Sequence, residues 1–337
     1  MSRSISSDPP WGPAERSIVT VGLFDGVHLG HRKIIKELCL WAAEAGATPV
    51  VMTFDRHPGE VLRGTAPPLI DAPAFRVALL RSLGVEKVWL LELSREFLSQ
   101  TAAEFLERFV AGALNGTGLL VGFNNLLGSD RAGFEKLRRE GERCNIEVRS
   151  CGPCTVGGEA VSSTLARRAV QQGELGRARL LLGRPPVLCG RVIQGRGWGR
   201  RFGFPTANLA LAHGAVLPCG VYAGQTRWAG RPYLAAVSIG TCPTLRSEPV
   251  PAGRGAYVPG EHTVEVHLLD FNGDLTGADL AVAVNEKLRE EKRFPSPEDL
   301  IAQIKRDLER VRAVGFDGQA DLPALEACCR STRLENG

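Results

Sequence analysis

The 337-residue chain is long enough for about two domains of ordinary size. Hydrophobic residues make up 44% and charged residues 23%, which excludes a fibrous or wholly disordered chain. The 41 basic and 37 acidic side chains leave a net charge of +4, too small and too scattered for a nucleic-acid footprint.

The opening "MSRSISSDPPWGPAERS" has no apolar core of the signal-peptide kind, and residues 1–16 read as a disordered arm. No apolar run approaches the roughly 20 residues that span a bilayer, so no membrane partner is expected. The nine cysteines are odd in number and irregularly spaced, which favours reduced thiols in the cytoplasm over a disulfide framework.

From residue 17 to about 148, apolar runs alternate with helical patterns. "SIVTVGLF", "TPVVMTF", "VEKVWLLEL" and "GLLVGF" read as buried strands. Between them "HRKIIKELCLWAAEAG", "PAFRVALLRSLG" and "TAAEFLERFVAGAL" carry helical spacing, the first stopping at Gly46. Repeated strand–helix–strand units imply an α/β domain with a parallel sheet, expected over residues 17–184. "SSTLARRAVQQGELGRARLLLG" is its last helical stretch. After Arg184–Pro186 come short strands, "VLCGRVIQG", "GVYAGQTRW", "RPYLAAVSIG", "HTVEVHLLDF" and "DLAVAV", separated by Gly, Pro and Asn-Gly turns. They predict a small antiparallel barrel or sandwich over 185–314, closed by the helix "SPEDLIAQIKRDLERVRAV" with Ser296 as its cap. Residues 315–337 read as a tail without a message.

Two constellations carry chemistry. In "VGLFDGVHLGH", Gly22, Phe24, Asp25, Gly26, His28, Gly30 and His31 lie between the first strand and the first helix. In open α/β sheets ligands bind beyond the carboxyl ends of strands, where helix N-termini present free N–H groups. Gly26 and Gly30 allow close backbone approach, and the imidazoles can stabilise charge growing on phosphate oxygens. An ordinary tight turn with two exposed histidines is the other reading. "VSSTLARRAV" adds Ser162, Ser163, Thr164 and Arg167 at a helix start, a second anion-binding pattern or a plain capped helix.

The other constellation is "GRGWGRRFGFPTANL". Thr206 and Asn208, two residues apart, share a strand face, and their oxygens suit Mg²⁺ carrying nucleotide phosphates. In "HTVEVHLLDF", Glu265 sits between apolar neighbours and suits a general base; a solvated strand carboxylate is the alternative. "DFNGDLTG" fails as a calcium loop, because Leu275 and Ala281 stand where a glycine and a bidentate glutamate are needed.

With these residues in place, "GLFDGVHLGH", "TFDRHPGEVL", "VGFNNLLGSDRAG" and "VSSTLARRAV", from about Val19 to Gly183, resemble the adenylyltransferase module of the prokaryotic bifunctional riboflavin kinase/FAD synthetase family. "GFPTAN", "GVYA", "SIGTCPT", "VEVHLLDF" and "KLREEKRF", from about Leu182 to Ala313, resemble its kinase module. The resemblance implies a Rossmann-like nucleotidyltransferase domain followed by a riboflavin kinase barrel. It implies phosphorylation of riboflavin to FMN and adenylylation of FMN to FAD, with ATP as co-substrate at both sites and Mg²⁺ as cofactor. His28, His31, Ser162, Ser163, Thr164 and Arg167 would hold ATP phosphates. His57, Pro58, Asn124 and Arg131 would line the flavin side. In the barrel, Gly195, Gly203, Phe204, Pro205, Thr206 and Asn208 would hold MgATP, Glu265 would activate the riboflavin 5′-hydroxyl, and Arg289 would approach the flavin. The implied partners are these small molecules, bound by a monomer or transient oligomer.

The chain departs from that pattern at Arg56, Asn125 and Leu127, and at Ser238 and Cys242. The departures keep open a family member with one active module, or a flavin-binding protein without activity. "CGPC" at Cys151–Cys154 also fits a redox pair, but the glycine-bearing, strand-like "TVGGEAV" after it offers no helix to lower a thiol pKa. H-x-G-H occurs in class I aminoacyl-tRNA synthetases too, whose lysine-rich K-M-S-K-like loop is absent from this sequence.

Overall fold

The computed structural model describes residues 9–11, 15–195, 198–211, 217–240, 263–318 and 322–330. Packing divides the chain into two compact units, one of residues 1–67 and 79–162, the other of 68–78 and 163–337.

The first unit is built on five parallel strands: β1 (Ser17–Val21), β2 (Thr48–Phe54), β3 (Lys87–Leu91), β4 (Gly116–Gly122) and β5 (Glu147–Cys151). Their order is β3-β2-β1-β4-β5, so the winding reverses between β1 and β4. β1 is buried along its whole length, as a central parallel strand must be. Helix α1 (Leu29–Glu44) follows β1, and Ile35, Leu38, Trp41 and Ala42 form its buried stripe. Gly46 has positive φ just beyond its end. A short helix that the sequence pattern does not predict, α2 (Pro58–Arg63), follows β2, and the expected second helix is α3 (Pro73–Ser82), which covers "PAFRVALLRS". Two short helices, α4 (Arg95–Ser99) and α5 (Ala102–Phe105), lead into a π-helical segment, Leu106–Ala113, where the sequence pattern predicts regular α-helix. Its wider turn points Leu106, Phe109 and Val110 into the core beside Val19, Met52 and Trp89. Helix α6 (Phe134–Arg143) precedes β5. The hairpin β6 (Thr155–Val156) and β7 (Glu159–Ala160) follows the Cys-Gly-Pro-Cys turn. Most of the arm expected over residues 1–16 lies outside the described residues; within it Trp11 packs against the first core.

The second unit starts its main run with α7 (Ser163–Gln171) and α8 (Leu175–Leu182), which break at Gly173 where one continuous helix is predicted. The barrel strands are β8 (Val187–Ile193), β9 (Ala207–Leu211), β10 (Gly220–Trp228), β11 (Arg231–Gly240), β12 (Thr263–Leu268) and β13 (Asp279–Arg289), with a single-turn helix α9 (Trp198–Arg201) between β8 and β9. They close in the order β10-β11-β12-β9-β8-β13, and β13 pairs back onto β10. The predicted closing helix is α10 (Pro297–Val314), and the Ser296 side chain accepts from the Asp299 N–H at 3.2 Å. A further helix, α11 (Leu322–Arg330), packs on β10 and β13 in the segment that reads as a tail.

The packing boundary at Ser162/Ser163 differs from the sequence boundary at Arg184–Pro186 because α8 packs on β13 and residues 68–78 are tied to the same unit. Asp71 and Arg184, 0% and 1% exposed, form an ion pair, and the Arg184 guanidinium also lies over the Phe75 ring. The Arg184 side chain donates as well to the Pro185 carbonyl at 2.9 Å. Removing one member would leave the other charge buried, so Asp71→Ala should destabilise the protein by roughly 3–5 kcal/mol, and the double variant Asp71→Ala/Arg184→Met by clearly less than the two single losses combined. Urea unfolding of the four proteins measures this; a single variant as stable as the parent would contradict it.

Candidate functional sites

In the first unit, β1, β2 and β4 are neighbours, and each delivers expected site residues just past its carboxyl end. His28 and His31 follow β1, His57 and Pro58 follow β2, and Asn124 and Arg131 follow β4. This is the reversal point of the sheet, where α/β folds form their ligand crevice.

The β1–α1 loop holds a demanding backbone. Phe24, Gly26 and Val27 have φ of 51°, 84° and 38°. A β-branched, fully buried residue with positive φ is strained, and such strain is tolerated where the surroundings over-determine it. The Val27 N–H donates to the Phe24 carbonyl at 3.0 Å, and the Phe24 ring meets His31 edge-on at 5.1 Å. His28 caps α1: its Nδ1 accepts from the His31 N–H at 3.3 Å. The two imidazoles stack with centroids 3.6 Å apart. Both are thus held, and His28 is only 5% exposed, which removes the reading of two exposed turn histidines. A β-carbon on Gly30 would stand 3.1 Å from His28 Cε1 and 3.6 Å from the Val161 carbonyl oxygen, so the segment entering Ser162 lies beside this turn. Asp25 is buried in the same loop.

Burial lowers the His28 pKa to about 4, against a backbone hydrogen bond that raises it. The imidazole is therefore neutral near pH 7. Since Nδ1 accepts a hydrogen bond, the proton sits on Nε2, which makes His28 a neutral donor.

His57 caps α2, its Nδ1 accepting from the Gly59 N–H at 2.9 Å, and Pro58 takes the first helical position. Arg56 pairs with Asp55, whose Oδ1 accepts from the Leu93 N–H at 2.8 Å. The departure at position 56 is thus absorbed by a local ion pair. Asn124 and Arg131 are exposed on the loop after β4, which Leu127 and Ala132 pin together by a β-bridge. Phe123 and Leu126, each 49% exposed on this loop, were not singled out from sequence. An exposed aromatic beside Asn124 in "GFNNLL" is the signal that marks them.

Ser162 ends the first unit; Ser163 and Thr164 open α7 in the second. Arg167 is buried, and its Nε donates to the Pro68 carbonyl at 2.7 Å.

The barrel carries the second candidate site, where Phe204, Thr206, Glu265 and Arg289 of the expected residues line one cavity and Gly195, Gly203, Pro205 and Asn208 do not line it. A cavity of about 230 Å³ is lined by Phe204, Thr206, Glu265, His267, Arg289 and Asp307 among others. Glu265 on β12 stands opposite Asn208 of β9 on one side and opposite Ser238 of β11 on the other. Desolvation by the cavity wall raises the Glu265 carboxyl above its ordinary pKa, and a hydrogen bond with Thr206 pulls the other way; the residue still keeps access to solvent. A β-carbon on Gly199 would collide with the Phe204 carbonyl oxygen and approach Thr206 Oγ1 to 3.0 Å. The Asn208 amide lies against Gly195, and Gly203 and Pro205 flank Phe204 at the surface. Leu300, Ile304 and Leu308 of α10, with Val221 and Ala236, give the cavity an apolar wall. Arg289 lines it with its guanidinium engaged: Nε donates to Asp307 Oδ2 at 2.9 Å, and Nη1 to the Glu290 carbonyl at 3.0 Å. Cys242 and the loop 246–261 lie outside the described residues.

The Cys151–Cys154 pair does not have the environment of a redox centre. Burial pushes the Cys151 thiol up to about 12, and a short hairpin, with no helix, follows.

Two family descriptions match the chain, FAD synthetase over residues 12–165 and riboflavin kinase over residues 182–314. A bifunctional riboflavin kinase/FMN adenylyltransferase of Pseudomonas fluorescens is 35% identical over 88% of this chain and 92% of its own length. The enzyme of the same description from Bacillus subtilis is 32% identical over 87% and 90%, and that of Escherichia coli 34% over 88% and 91%. The chain belongs to the bifunctional riboflavin kinase/FMN adenylyltransferase family. It is a transferase with both modules. A solved structure described as a macrolide-efflux protein from Streptococcus pneumoniae shares the architecture, with a TM-score of 0.75 and 31% identity over 91% of this chain and 96% of that one. Among the described residues here, no helix is long and apolar enough to cross a membrane.

The depressed His28 pKa has a measurable consequence. The unfolded imidazole titrates near 6.5 and the folded one near 4, so the unfolded state binds the extra proton between these values. Stability is full above about pH 6.5 and falls by up to about 3 kcal/mol as the pH drops to about 4. Urea titrations near pH 7 and near pH 5 should show a steeper acid loss in the parent than in His28→Asn, which keeps a capping side chain; equal losses would contradict the assignment.

Proposed function

We propose that the two activities of this family are carried in this chain by two separate sets of residues. In the barrel, Glu265 takes the proton of the riboflavin 5′-hydroxyl as that oxygen attacks the γ-phosphorus of ATP. The new P–O bond forms as the bond to the β–γ bridging oxygen breaks, giving FMN and ADP. A carboxyl pKa raised by desolvation makes Glu265 the better base. The apolar wall from α10 suits the isoalloxazine ring, and Ser238 stands at the rim beside the base. The Thr206 hydroxyl and Asn208 amide oxygen, next to the Glu265 carboxylate, form a hard-oxygen donor set that fits Mg²⁺. Thr206 and Asn208 would hold the ion, which neutralises phosphate charge when bound. The single observation that carries this reading is the convergence of Thr206, Glu265 and Arg289 on one cavity.

In the first unit, an oxygen of the FMN phosphate attacks the α-phosphorus of ATP and pyrophosphate leaves. The nucleophile is already ionised, so no base is required. Neutral His28 donates from Nε2 to phosphate oxygens as charge builds, and His31 is stacked on it to act beside it. Ser162, entered from Val161 beside the Gly30 turn, supplies a hydroxyl for the β- and γ-phosphates. His57, Asn124 and the exposed Phe123 serve the flavin, the ring at position 123 offering it an aromatic face. We assign the chain to the cytoplasm because nine cysteines, odd in number and irregularly spaced, suit reduced thiols better than a disulfide framework.

Incubation with riboflavin, ATP and Mg²⁺, with flavins resolved by chromatography, should yield FMN and FAD. Glu265→Gln should lower FMN formation by about a hundredfold or more while FAD formation from supplied FMN persists, and His28→Ala should do the reverse. A folded variant that loses both activities together would contradict separate sites; FMN as the sole product of the parent would mean a silent first module.

A further inference from the structure

His267 lies two residues beyond Glu265 on β12, on the same strand face, and lines the same cavity. Neither the proton transfer nor the metal donor set of the proposed kinase step includes it. Its Nδ1 stands 2.8 Å from the Pro205 carbonyl oxygen. A carbonyl can only accept, so Nδ1 carries a proton and donates. The regular ladder between β12 and β9 ends at Val266 and Ala207. The His267 side chain therefore takes over where the ladder stops and ties down the turn that delivers Thr206. Its ring also meets Phe204 edge-on, with centroids 6.2 Å apart. Thr206 in turn hydrogen-bonds the Glu265 carboxylate.

We infer that His267 is a positioning residue for the kinase reaction, clamping the Gly-Phe-Pro-Thr turn through Nδ1–H so that the Thr206 hydroxyl stays in register with Glu265 and the nucleotide phosphates. The inference rests on the barrel being the kinase site. It makes His267 neither a base nor a ligand: its proton stays on Nδ1 throughout, and Glu265 takes the substrate proton. Misplacing a phosphate-binding hydroxyl costs catalysis more than substrate binding.

Three variants separate this role from simple packing. Asn places its amide N–H near the position of Nδ1, Gln places it near Nε2, and Leu has none. His267→Leu and His267→Gln should lower kcat for riboflavin phosphorylation by roughly 10–100-fold, with KM for riboflavin changed by less than about threefold. His267→Asn should restore kcat to within about threefold of the parent. FAD formation from supplied FMN by the same samples reports that the first unit is intact, and a urea unfolding midpoint within error of the parent's reports that the barrel is folded. In the parent, ¹⁵N NMR of the imidazole should find the proton of neutral His267 on Nδ1. Leu at parental kcat, Gln rescuing as well as Asn, or a proton on Nε2 would each overturn the inference. A parent that makes no FMN would instead overturn the kinase reading itself.

Discussion

A side chain that meets a phosphate has to be held still, and in both units the residue proposed for that role is held against an α-carbon that carries nothing. At Gly30 an added carbon would press on the His28 ring; at Gly199 it would run into the Phe204 carbonyl and crowd the Thr206 hydroxyl. His28 is fixed by its capping bond and its stack on His31, and Thr206 by Glu265 and the turn before β9. The close approach supplies the fixed geometry that electrostatic catalysis needs, since donors already in place cost no reorganisation when charge develops.

The two sites solve different electrostatic problems. Adenylyl transfer starts from an ionised phosphate, so it needs donors and no base. Burial keeps His28 neutral, with a proton on the nitrogen that faces away from its own helix cap. Phosphorylation of a hydroxyl does need a base, and Glu265, the base proposed, has its carboxyl pKa raised by desolvation. The same physical cause, removal of water, pushes one group to remain uncharged and the other to hold its proton more tightly. Arg289 illustrates a third use of charge. Its guanidinium is bound to Asp307 and the Glu290 carbonyl, so it joins β13 to α10 along the cavity rather than offering a bare cation.

Much of this was legible because the pattern is local. The parallel strands are continuous apolar runs, the barrel strands are short and set off by turn residues, and Ser296 before Pro297 marks the start of α10. Thr206 and Glu265 were legible from residue type and setting, and the structure brings them to one cavity. What escaped depends on distant partners or on backbone that sequence disfavours. The Asp71–Arg184 pair joins residues far apart in the chain, and nothing local at either one announces it. Val27 in a left-handed conformation runs against its β-branched side chain. The π-helical turns after Phe105 share the apolar spacing of an α-helix. Helix α11 is short, and its stability comes from packing on β10 and β13. His267 reads as an ordinary strand histidine until the Pro205 carbonyl appears beside it.

The most direct test of the central claim is to assay both activities in two variants of one protein, Gly30→Ala and Gly199→Ala. The account predicts that the first loses FAD formation from FMN while keeping riboflavin phosphorylation, and that the second shows the opposite loss. Full activity of both reactions in either folded variant would contradict it.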